Sequence, residues 1–117
     1  MYRKKYLLAC ISLLWAAQVP AQQVGAQVWQ QYNCASCHGD DALSAQSPEY
    51  PVLAGQHADY LEQTLLAYQR GQKQEVGGAN VRKNPVMGAM AANLSTVEIK
   101  QVSQWLASLP GPLSHSR

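Results

Sequence analysis

The stretch Cys34-Ala35-Ser36-Cys37-His38 leaves few ways for this chain to fold. Residues three apart in one helical turn point the same way, so both thiols can reach one edge of a flat ligand. The adjoining imidazole is then carried beneath the plane of that ligand. Other uses of the spacing fit poorly. A thioredoxin-like thiol pair expects a preceding strand in a βαβ setting, which the sequence does not offer. A structural zinc site needs four ligands, and beyond these residues only His57 and His115 remain outside the N-terminal apolar run. A disulfide between such close neighbours closes a very small loop and stabilises little. The pentapeptide is instead a specific signal for covalent haem attachment: each thiol adds to one vinyl group, and His38 reaches the iron.

The chain of 117 residues opens with a basic stretch, Met1 to Lys5, followed by an apolar run from Tyr6 to Ala17. Val19-Pro20-Ala21 then supplies the compact residues a signal peptidase reads, so residues 1–21 are expected to form a cleaved secretory signal. A retained anchor is the alternative, but the apolar run is short of the roughly 20 residues a bilayer span needs. Cys10 lies inside the signal and is discarded with it. A lipid-modified Cys10 would leave only a stub of apolar residues before it. The expected location is the periplasm, and residues 22–117 form the working domain.

Charge follows the same division. The full chain is formally +2, whereas residues 22–117 keep six cations (Arg70, Lys73, Arg82, Lys83, Lys100 and Arg117) against seven acids, a net of −1. Composition therefore gives no support to binding nucleic acid or an anionic membrane.

The remaining pattern is all-α. Val24, Val28, Trp29 and Tyr32 recur at helical spacing, with Gly25 on the face of Trp29. A loop from Gly39 to Gln56 is broken by Pro48, Pro51 and Gly55. A second helix is expected from His57 to Arg70, with Leu61, Leu65 and Tyr68 on one face and Gly71 as its stop. A polar loop, Gln72 to Pro85, leads to the last helix. There Ser95 and Glu98 form a capping box and Leu94 and Ile99 a hydrophobic staple. Its buried face is Ile99, Val102, Trp105, Leu106 and Leu109, and Pro110-Gly111-Pro112 ends it.

A haem iron held by one histidine has a sixth position. Outside the signal the methionines are Met87 and Met90, and a thioether there favours ferrous iron and raises the potential. Pro85 would stiffen the approach to Met87, and Gly88 would let the backbone lie near the porphyrin; ordinary packing is the other use of either methionine. His57, at a helix start, and His115, in the tail, are further candidates.

These residues resemble the class I c-type cytochromes, both the small bacterial monohaem proteins and single halves of the dihaem ones. The resemblance is carried by Cys34 to Gly39, Pro51 to Leu61, Met87 to Ser95 and Trp105 to Leu109. It implies three main helices around one haem c, thioethers at Cys34 and Cys37, His38 as proximal ligand and Met87 as distal ligand. It further implies that the Pro51 carbonyl accepts the His38 N–H, and that Gly25 and Trp29 pack on Trp105. Asp40-Asp41-Ala42 departs from relatives, which often have a glycine after one acid. The implied function is one-electron transfer between redox proteins, not catalysis, by a monomer or a subunit of a larger redox complex, with no stable membrane insertion after cleavage. Two alternatives stand beside it: a haem subunit of a larger dehydrogenase or oxidase, and a gas-binding or peroxidatic protein with an open sixth site.

Overall fold

The computed structural model describes residues 18–74 and 80–114. The expected signal falls largely in residues 1–17, and His115 in the tail; both lie outside the described residues. The described residues form five helices and no strand: α1 (Ala21–Gln31), α2 (Ala35–His38), α3 (Ala58–Gln72), α4 (Pro85–Ala92) and α5 (Thr96–Ser108). Among them no helix is long and apolar enough to cross a membrane. The expected all-α class is observed, with α1, α3 and α5 as the three main helices and two short ones between them.

Helix α1 starts one turn earlier than its apolar stripe, because Ala21-Gln22-Gln23 are good helix formers placed directly after Pro20. It crosses α5 at Gly25. A Cβ there would collide with the Cβ of Trp105 and the carbonyl of Gln101, so only glycine lets the helices approach this closely. One turn on, Trp29 packs against Trp105 with ring centroids 5.4 Å apart at 50°. At the end of α1, the Tyr32 hydroxyl donates to Glu98 at 2.9 Å. Val28, Trp29, Leu61, Val102 and Leu106 make the core, with Ala42 and Ala54 of the intervening loop inserted into it.

Helix α5 follows the expected pattern. Ser95 accepts from the Glu98 N–H while the Glu98 carboxylate accepts from the Ser95 N–H at 2.8 Å. Ile99, Val102 and Leu106 are buried, and Leu94, Trp105 and Leu109 are partly buried.

The end of α3 differs from expectation. The helix runs through Gly71 to Gln72, and the left-handed residue that turns the chain is Gln74, at φ +55°. Gly71 serves packing instead: a Cβ there would strike the Arg82 carbonyl of the returning loop. That loop is tied to α3 by Arg82 N–H to Ala67 carbonyl at 3.0 Å, and by the Arg82 guanidinium over the rings of Tyr60 and Tyr68.

Two predictions follow from these contacts. Gly25→Ala should lower stability by about 1–3 kcal/mol in denaturant titration, because overpacking outweighs the gain in helix propensity. The Glu98 carboxyl is held below the usual carboxylate range by the Ser95 N–H first, then by the Ser95 and Tyr32 hydroxyls. Its contribution to stability is therefore complete above that range and lost as pH falls through the depressed value. Glu98→Gln should flatten the acid limb of unfolding curves taken at successive pH values.

Candidate haem-binding site

Helix α1 ends in a way that sets where the cysteines begin. Asn33 takes φ +53°, a left-handed conformation that asparagine tolerates. The Asn33 N–H then bonds the Gln30 carbonyl, and the Cys34 N–H bonds the Trp29 carbonyl, each at 3.1 Å. This paired pattern closes the helix and starts the next turn at once. Cys37 and His38 N–H groups both bond the Cys34 carbonyl, at 3.3 and 3.1 Å, so the pentapeptide is itself one helical turn. Gly39, at φ +83°, ends it.

Cys34 and Cys37 form no disulfide and are half-buried. Burial, the largest cause, pushes the Cys34 thiol up from its ordinary value. His38 is buried, 6% exposed, with its ring near those of Trp29 and Tyr50 at centroid distances of 6.0 and 6.1 Å. Nδ1 of His38 lies 3.0 Å from the Pro51 carbonyl. A carbonyl can only accept, so Nδ1 carries the proton and Nε2 presents a lone pair.

The loop that brings Pro51 to His38 is built on Asp41 and Ala42. The Asp41 carboxylate accepts from Leu43 N–H, Ser44 N–H and the Ser44 hydroxyl at 2.7–2.8 Å. Ala42, fully buried at φ +54°, offers its carbonyl to the N–H groups of both Leu53 and Ala54. The alanine thus stands at a left-handed turn, the backbone state glycine adopts most readily. Gly55 N–H then bonds the Leu106 carbonyl of α5 at 2.9 Å, fixing the loop to the core.

Met87 and Met90 both lie on α4 and are half-buried. Helix α4 is additional to the helices expected from periodicity, and Asn84-Pro85 is its start signal: the Asn84 side chain accepts from Val86 and Met87 N–H groups at 3.0 Å, with proline at the first position. Gly88 is buried where α4 meets α3. A Cβ there would meet the Gln72 side chain of α3 at 2.7 Å. His57 is the exposed residue that precedes α3. The structure therefore gathers Cys34, Cys37, His38 and Pro51 into one corner, and carries Met87 on a separate helix packed on α3.

These residues fit a covalently held haem. Two thiols share a turn, and the next residue is a buried imidazole whose tautomer leaves Nε2 for a metal. The buried Nε1 of Trp29, in the ring beside His38, has no hydrogen-bond partner among the described residues. A leftover donor of this kind suits a site that a further group completes.

Residues 22–110 match the family model described as Cytochrome c. The chain belongs to the cytochrome c family. Members carry covalently bound haem c with its iron, and this cytochrome is accordingly an electron-transfer haem protein. It is 37% identical over 75 residues to cytochrome c-554(548) of Halomonas halodenitrificans, covering 64% of this chain and 82% of that one. It is 35% identical over 79 residues to the thiosulfate dehydrogenase electron acceptor of Stutzerimonas stutzeri, covering 68% of this chain but 32% of the relative. With cytochrome c4 of Thiocapsa roseopersicina the identity is 40% over 77 residues, 65% of this chain and 37% of that one. The chain thus spans about a third of the last two relatives.

The turn into Cys34 supplies a test. Asn33→Val should cost about 1–2 kcal/mol, the penalty of a left-handed β-branched residue, whereas Asn33→Gly should be tolerated. Denaturant midpoints and the yield of haem-loaded protein should both fall for the valine variant alone.

Proposed function

We propose that this cytochrome is a periplasmic one-electron carrier, exported by residues 1–21, with no catalytic residue of its own. Cys34 and Cys37 would hold the porphyrin through thioethers, and His38 and Met87 would be the ligands of its iron. The observation that carries the reading is the 3.0 Å contact between His38 Nδ1 and the Pro51 carbonyl. Such a bond orients a ligating imidazole and makes it a better donor to a metal. When bound, haem c supplies an iron that cycles between ferric and ferrous states.

The protein's own part is to hold and shield. His38 is kept in one tautomer and one orientation by Pro51, and Trp29 and Tyr50 lie near its ring. Met87 offers a soft thioether, which favours the reduced state. With His38 and Met87 both committed to the iron, small oxidants would be kept off it and rearrangement on electron transfer would be small. The partners are redox proteins that dock transiently through a modest interface. One relative's name, thiosulfate dehydrogenase electron acceptor, favours a second reading in which the partner is a dehydrogenase and this chain accepts its electrons, as a free protein or as a subunit.

Periplasmically expressed protein should exceed its polypeptide mass by one haem and show the sulfur-to-iron charge-transfer band when ferric. Met87→Ala should abolish that band and lower the reduction potential, while Met90→Ala should leave both unchanged. Rapid carbon monoxide binding by the reduced wild type would overturn the closed sixth site. Co-purification with a dehydrogenase would select the second reading.

A further inference from the structure

Helix α4 cannot hold its own position. It is eight residues long, shorter than a helix that is stable alone in water, and it contains Gly88, which weakens it further. Its placement is therefore set by what it is tied to. Asn84 fixes the N-terminal end. At the other end the amide nitrogen of Gln69, half-buried on α3, donates to the Ala91 carbonyl at 2.7 Å and to the Leu94 carbonyl at 2.8 Å. Both amide hydrogens of one side chain are thus used, one on the last turn of α4 and one just before the Ser95 cap of α5. Ala91 lies four residues after Met87, on the same helix face. Between the two ends, Gly88 rests against Gln72, one turn from Gln69 on α3.

We infer that Gln69 is a positioning residue that locks α4 onto α3, and so keeps the methionine of α4 from being displaced from the iron. The inference rests on the axial role proposed for Met87. The two bonds of Gln69 go to backbone carbonyls, so it acts through the backbone of the element that bears the ligand. Only a donor serves here, because both partners are carbonyl oxygens. Glutamate, of the same size, would set acceptors against acceptors. Lysine would restore a donor, and its charge suits the C-terminal end of a helix.

The test uses ferric haem-loaded protein and imidazole as a competing ligand. Loss of two neutral hydrogen bonds corresponds to roughly a tenfold to hundredfold change in an equilibrium. Gln69→Glu should raise imidazole affinity by that factor and weaken the sulfur-to-iron band at lower temperature than wild type, with far-ultraviolet dichroism unchanged in buffer. Gln69→Lys should stay within about threefold of wild type on the same scale. If Gln69→Glu does not fold, Gln69→Leu, which also removes both donors, makes the same comparison. A purely structural role would lower the denaturation midpoint and leave imidazole affinity alone, and that result overturns the inference while the wild-type band, lost in Met87→Ala, upholds the ligand. A wild type without the band, and unaltered by Met87→Ala, overturns the ligand reading and the inference together.

Discussion

Where α1 lies across α5, the absence of a side chain at Gly25 brings one backbone onto the Trp105 Cβ and the Gln101 carbonyl. Close approach there is what allows Trp29, a turn later, to be 2% exposed and to pack near both Trp105 and His38. Because Cys34 begins immediately after the Asn33 turn, the orientation of α1 is also the orientation of the attachment motif. The helix crossing and the cofactor corner are thus parts of one rigid arrangement.

The loop from Gly39 to His57 has no regular structure, yet it is tightly specified. Asp41 gathers three local donors, Ala42 binds two returning N–H groups, and Gly55 is fastened to α5. The Ala42 and Gly55 bonds satisfy backbone groups beside the core, and the Asp41 bonds brace the exposed turn next to them. The carbonyl of Pro51 reaches His38 because the residues on either side of it are held in this way.

Much of this was readable in the residues. The pentapeptide announces its chemistry through spacing alone, and α5 is announced by the Ser95–Glu98 box and its apolar face. Gly25 was recognisable as a contact because it precedes Trp29 by one turn. The misread pieces share a cause. Gly71 looks like a stop when considered locally, but its missing side chain answers the Arg82 carbonyl eleven residues away, which no local pattern reports. Helix α4 has only two turns and apolar residues all round, so periodicity could not reveal it, though Asn84-Pro85 did mark its start. Gln69 gave no signal, since a glutamine on a helix is ordinarily solvated.

The two sides of the site differ in how far the chain must travel to make them. His38 and Pro51 are 13 residues apart, whereas Tyr32 and Glu98 are separated by 66. Closing a short loop costs less entropy than closing a long one, and contacts of low sequence separation form sooner. The contact that closes the corner holding both cysteines and the histidine is therefore the entropically cheaper of the two. The wall that encloses that corner needs the last helix. The cofactor corner is thus made from near neighbours along the chain, and the wall around it from the chain's far end.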